Sequence, residues 1–209
     1  MKASETAIVM IEFQNEFCKE GGRLYDVVKS ELARQNTLAN AVKLQREARA
    51  KGCLIVMVPF VFDEEYAGFW KPEGIVGNAA SSGAFRPGAW GTEIIDELKP
   101  AAGDVAVHGK ATLCGFNGTN LEMILRGAGI RNCVLSGFLT NVCVESTART
   151  AYDKGYRVII AKDACAALSQ EQQEYPEKCI FPLLGSVMTV SEALANMEAE
   201  PSRAKPKAA

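Results

Sequence analysis

Residues 131–154 read RNCVLSGFLTNVCVESTARTAYDK. The first seven, apolar at Cys133, Val134 and Leu135 and ending at Gly137, read as strand 4. Residues 141–154 read as a helix. A buried strand that feeds straight into a helix is half of a β-α-β unit, so the rest of the chain is to be searched for the same alternation.

It is present on both sides. Upstream, residues 6–13 (TAIVMIEF) form strand 1, and residues 32–51 carry Leu38, Val42, Leu44 and Ala48 at helical spacing before Gly52 ends the helix. Residues 53–60 are strand 2, residues 92–98 a short helix, residues 104–109 strand 3, and residues 119–127 a helix capped by Thr119. Downstream lie strand 5 at 157–162, a mostly helical stretch at 169–184, a last strand at 186–189 and a closing helix at 191–197. Six strands alternating with helices predict a doubly wound parallel α/β sheet. Residues 61–90 show no periodicity and are broken by Gly68, Pro72, Gly74, Gly77, Gly83, Pro87 and Gly88, the composition of a lid, a binding loop or a subunit contact.

A chain of 209 residues, 48% hydrophobic, has enough apolar surface for one core, and a single domain is expected over residues 1–200. The Pro/Lys/Ala-rich residues 201–209 are expected to be a disordered tail. A net charge of −2 offers no broad attraction to nucleic acid or to an anionic membrane, and apolar runs such as 53–61 are too short to span a bilayer. With no signal-like N-terminus, an intracellular protein is expected, cytoplasmic in the first instance and organellar as the alternative. Seven cysteines, an odd number without CxxC pairs, argue against a disulfide framework and a zinc cluster. The single histidine, His108, excludes any mechanism that needs two.

In open α/β sheets ligands bind beyond the carboxyl ends of the strands. Glu12 closes strand 1, Lys110 follows strand 3 and Cys143 follows strand 4, so the three are expected on one sheet edge. Cys143 sits in the first turn of a helix, where free N–H groups and the positive dipole end favour an anion, and a nearby lysine acts in the same sense; both favour the nucleophilic thiolate. The same N–H groups suit an oxyanion, each such donor being worth roughly 3–4 kcal/mol in other enzymes. Alternatively Cys143 packs as a small hydrophobe under the helix, and spacing alone leaves both open.

The motifs decide between them. Residues 11–17 (IEFQNEF), the step Gly109-Lys110 followed by Gly115-Phe116 and Thr119-Asn120-Leu121, and residues 137–147 (GFLTNVCVEST) resemble the isochorismatase-like cysteine hydrolases over residues 6–197. The resemblance implies a three-layer α/β/α fold with a six-stranded parallel sheet, and an Asp, Lys, Cys triad whose last two members match Lys110 and Cys143. It implies an oxyanion hole of the Leu139 and Cys143 N–H groups and a cis peptide between Phe138 and Leu139. Phe17, Trp90, Phe116, Asn117 and Thr140 fall in segments that line the substrate pocket in such proteins, although Phe17, Phe116 and Asn117 suit the core equally and Trp90 suits the core or a subunit contact. Glu12 stands where the family pattern has Asp, and its extra methylene moves the carboxylate by about 1 Å, a displacement that can cost about a hundredfold in rate.

With no histidine between Pro59 and Trp90, the metal-binding pattern of nicotinamidase-type members is missing, so no metal and no cofactor are expected. The expected activity is hydrolysis of a C–N bond in a small amide or ureido compound through a thioester-type intermediate, by an enzyme that assembles as a homodimer or tetramer. Two alternatives stand beside it: an isochorismatase-type vinyl-ether hydrolase, and a catalytically reduced member, carrying Glu12 for Asp, that binds a small molecule or partner.

Overall fold

In the computed structural model, residues 1–62 and 71–200 are described. The expected tail at 201–209 and the acidic and aromatic segment 63–70 lie outside them. Six strands, β1 (Thr6–Ile11), β2 (Leu54–Val58), β3 (Val105–Ala106), β4 (Asn132–Phe138), β5 (Arg157–Ala166) and β6 (Gly185–Met188), form one sheet. Its order is β3-β2-β1-β4-β5-β6, and every pairing is parallel. All residues of β1, β2 and β4 are buried, which is why β1 and β2 read as nearly unbroken apolar runs rather than as alternating ones.

The helices are α1 (Asn15–Cys18), α2 (Tyr25–Gln35), α3 (Thr37–Ala50), α4 (Gly74–Ser81), α5 (Leu121–Gly127), α6 (Glu145–Asp153), α7 (Gln170–Tyr175), α8 (Phe181–Leu184) and α9 (Val190–Ala195). They cover both faces of the sheet. Ile8 and Met10 of β1 join Val28 and Leu32 of α2, Leu44 of α3 and Leu194 of α9 in one core. Ala7, Val9 and Ile11 point the other way, to Leu121 and Leu125 of α5, Ala148 of α6 and Phe181 of α8. This alternation along one strand is the pleat dividing its side chains between two layers. The result is the expected three-layer, six-stranded parallel fold.

Several elements depart from the sequence reading, each for a local reason. The single helix expected at 32–51 is two helices, α2 and α3, because Asn36 adopts the left-handed conformation (φ 53°), which asparagine tolerates better than most residues. The structureless stretch at 61–90 contains α4, which has two glycines and no buried residue, so no core-facing periodicity marked it. The helix expected at 92–98 is a pair of 3₁₀ turns, Trp90–Thr92 and Asp96–Leu98. Strand 3 shrinks to Val105–Ala106, an edge paired only with β2, whereas β5 runs on to Ala166 by following β4 past a register shift. Thr119 lies one residue outside the cap position, yet its Oγ1 still accepts the Leu121 N–H at 3.2 Å. No helix among the described residues is long and apolar enough to cross a membrane.

Candidate active site

The strand order reverses direction between β1 and β4, which are neighbours in the sheet, and a crevice opens at their carboxyl ends. Gly137 makes this junction. Its φ is +123°, and a Cβ there would lie 1.9 Å from the Ile11 carbonyl oxygen, so only glycine lets the end of β4 run this close to β1. Immediately beyond, the Phe138–Leu139 peptide is cis, the bond that the family resemblance designates. The chain then winds through a π turn, Thr140–Val144, into α6, and Cys143 lies within that turn. Single π turns of this sort recur at functional sites.

On the neighbouring strand, β1 stops at Ile11 because Glu12 turns into the left-handed region (φ 59°), a conformation costly for a non-glycine residue and characteristic of sites whose surroundings hold it. Those surroundings are visible. The Glu12 N–H donates to Val58 O at 3.0 Å, and the Gln14 N–H donates to Glu12 O at 2.7 Å. The buried Gln14 amide spans to the end of β2, donating to Phe60 O at 2.8 Å and accepting from the Phe60 N–H at 2.7 Å.

Lys110 comes from the far side, after β3. Gly109 precedes it with φ +89°, where a Cβ would meet Gly118 O at 2.6 Å, so glycine is again what allows the chain to turn the lysine inward. The ammonium is fully buried. It donates to Glu12 Oε1 at 2.5 Å and to Thr112 O at 2.7 Å, and it sits 4.5 Å from the centre of the Phe60 ring. A buried cation with a carboxylate, a carbonyl and an aromatic face around it has its desolvation offset on every side.

Glu12, Lys110 and Cys143, remote from one another in sequence, thus meet at one edge of the sheet as expected. The expected thiolate is corrected. Burial, the first cause, and then the Glu12 charge push the Cys143 thiol well above its ordinary value, while Lys110 pulls the other way and loses. Lys110 spends its charge on Glu12, so the balance at Cys143 favours the neutral thiol.

Cys143 and Glu12 open into a cavity of about 290 Å³. Phe17 is on its wall, stacked on Phe138 with ring centres 5.2 Å apart. The other four expected pocket residues are not. Thr140 is buried, and its hydroxyl donates to Gln173 Oε1 at 2.6 Å, tying the turn to α7. Phe116 packs on Tyr156 in the core beneath α6, and the Asn117 amide donates to Thr112 Oγ1 at 3.2 Å. Trp90 is 49% exposed and lines a separate hollow with Arg23 and Arg86. The cavity wall comes instead from Phe60, Phe85, Leu113, Val142 and from α4, whose Ile75, Val76, Asn78 and Ala79 reach it. Glu16 also went unnoticed: its buried carboxylate accepts the Arg23 and Phe85 N–H groups at 2.7 and 3.1 Å and so sets the Phe85 wall. The repeated acidic residue in IEFQNEF was the available signal, since a carboxylate inside an apolar run must find partners. Among the described residues no group of three or more His, Cys, Asp or Glu gathers to hold a metal ion.

Comparisons with known proteins place the chain in a family. The isochorismatase domain model matches residues 6–192. A ureidoacrylate amidohydrolase (RutB) from Rhizobium rhizogenes is 34% identical over 98% of this chain and 88% of its own length, and one from Agrobacterium fabrum is 36% identical over 78% and 77%. Among solved structures, a cysteine hydrolase from Pseudomonas syringae pv. phaseolicola superposes with a TM-score of 0.81 at 25% identity, covering 93% of both chains. The N-carbamoylsarcosine amidase of Thermoplasma acidophilum superposes with 0.69 at 31% identity, covering 89% of this chain and 96% of its own. A match that runs from β1 into α9, with relatives of this identity over nearly the full chain, makes the protein a member of the isochorismatase family of hydrolases.

Proposed function

We propose that the protein hydrolyses a C–N bond in a small amide or ureido compound, with Cys143 as nucleophile, Glu12 as the proton-transferring base and Lys110 as the group that keeps Glu12 charged and placed. The observation that carries this reading is that Cys143 and the Glu12 carboxylate line one cavity, with Glu12 fixed from behind by the buried Lys110 ammonium at 2.5 Å. The amidohydrolase and amidase names of the relatives support the bond type.

A buried neutral thiol is a poor nucleophile until its proton has somewhere to go. Glu12 accepts that proton as sulfur attacks the carbonyl carbon and the C–S bond forms. The oxyanion is held by the Leu139 and Cys143 N–H groups, at the start of the helical turn where backbone donors lack intrahelical partners. The C–N bond breaks with the proton passing from Glu12 to the departing amine. Glu12, again a carboxylate, then takes a proton from water as it attacks the thioester; the C–S bond breaks, the acid leaves and the thiol is restored. Lys110 does not exchange a proton in this scheme. Its role is to make the ionised form of Glu12 tolerable in a buried site.

Replacement of Cys143 by alanine is expected to abolish turnover of amide and ureido substrates while leaving the circular dichroism spectrum and thermal midpoint close to wild type. Turnover retained within tenfold of wild type would refute the nucleophile assignment.

A further inference from the structure

Resting on the C–N hydrolase reading, we infer that this protein is specific for uncharged substrates carrying an apolar substituent, and that it discriminates against the carboxylate-bearing ureides and amides of the same size. The cavity wall is the observation. Among the described residues that line it there is no Lys, Arg or His; beyond Glu12 and Cys143 the polar side chains are Asn78 and Ser82. Lys110, the buried cation behind the site, is held by Glu12, Thr112 O and the Phe60 ring, and is not part of the wall. Arg23 and Arg86 line the other hollow, with Trp90. A substrate carboxylate placed in this cavity would lose its hydration without a countercharge and would face the Glu12 carboxylate, both unfavourable.

The same wall suits an apolar group. Phe17, Phe60 and Phe85 form an aromatic side, and the mouth is rimmed by Val27, Ile75 and Leu168, three of the large hydrophobics that the fold leaves exposed, 50%, 41% and 36% respectively. Single exposed apolar residues mean little, but three contributed by α2, α4 and the segment after β5 around one opening form a continuous apolar entrance. Asn78 and Ser82 stand one helical turn apart on α4 and its end; the Asn78 amide and the Ser82 oxygen, whose proton goes to Ala79 O at 2.7 Å and which is left to accept, suit a neutral amide or urea group. The expectation separates this chain from its ureidoacrylate-named relatives, since an acrylate is anionic at neutral pH.

Two isosteric pairs test it: 3-methylbutylurea against 3-ureidopropanoate, and 4-methylpentanamide against succinamate. Each pair differs in isopropyl against carboxylate. Wild type is expected to show a kcat/KM about a hundredfold higher for the neutral member of each pair, with all turnover lost in Cys143→Ala. Ile75→Arg, which supplies a cation at the rim, is expected to raise the acidic members' kcat/KM about tenfold. Cys143-dependent hydrolysis in which the neutral advantage is under about tenfold, or reversed, overturns this inference and leaves the C–N hydrolase reading standing; so does an Ile75→Arg variant with no gain on the acids. No hydrolysis of any of the four, or hydrolysis indifferent to Cys143→Ala, overturns both.

Discussion

Glu12 carries one methylene more than the aspartate of the family pattern, and the consequence is decided by where its carboxylate ends. It accepts from Lys110 Nζ at 2.5 Å and lines the same cavity as Cys143, so the longer side chain still lies between lysine and nucleophile. Because the Glu12 charge and hydrogen bond both raise the thiol while Lys110 lowers it, neutralising Glu12 should separate acidity from activity. In Glu12→Gln burial still raises the thiol, but the raising contributions of Glu12 vanish and the Lys110 charge is left unpaired, so the thiol becomes more acidic than in wild type. That variant is expected to alkylate with a small haloacetamide at pH 7 faster at Cys143 than wild type does, read by peptide mass spectrometry, while its kcat falls by at least about a hundredfold for want of a base. Faster alkylation with unchanged kcat would remove Glu12 from the proton path; slower alkylation would refute the electrostatic account. Residues 12, 110 and 143 were legible as strand-end groups of the right chemical types. The protonation state of the thiol was not, because helix start and lysine argue for a thiolate whereas burial and the lysine's engagement with Glu12 are tertiary facts.

At the level of elements, the site depends on β1 and β4 ending side by side. Gly137 is the contact: an added methyl group would meet the Ile11 backbone, which is locked into the ladder and cannot yield as a flexible side chain would. Gly137→Ala is therefore expected to cost at least about 3 kcal/mol, from overpacking together with a strained φ, measurable as a lowered urea midpoint. An unchanged midpoint would mean that the strand ends can part without loss. The strands themselves were readable, since burial on both faces forces unbroken runs such as Ala7 to Ile11. Helix α4 was not. Its apolar residues line a cavity and only Val76 and Ala79 reach the core, half-buried, while Gly74 and Gly77 weaken its local preference, so its place is set by what it covers.

The whole molecule also titrates differently folded and unfolded. Burial, as the leading cause, raises Cys18 and Cys165 strongly, pushes Cys133 up to about 12, and raises Cys143 together with the Glu12 charge. A thiol whose folded value is raised stabilises the fold fully below its unfolded value. As pH climbs past about 8.5 the unfolded chain releases protons that the folded chain retains, and stability falls until the folded values are reached. The thermal midpoint is thus expected to be flat with respect to these four thiols through neutrality and to decline steadily from about pH 8.5 upward. In a variant with Cys133 and Cys165 changed to alanine that decline should be shallower, and an equal decline would show that other groups drive it.

What the sequence determined by itself was the alternation of buried strands and helices, and with it the parallel sheet and the edge on which Glu12, Lys110 and Cys143 emerge, because periodicity and strand-end position are properties of the chain. Only the tertiary structure decided which side chains wall the cavity, why Trp90, Phe116, Asn117 and Thr140 do not, and that the cysteine rests protonated. Those follow from distances between segments remote in sequence and from the exclusion of water, and neither quantity exists until the layers have packed.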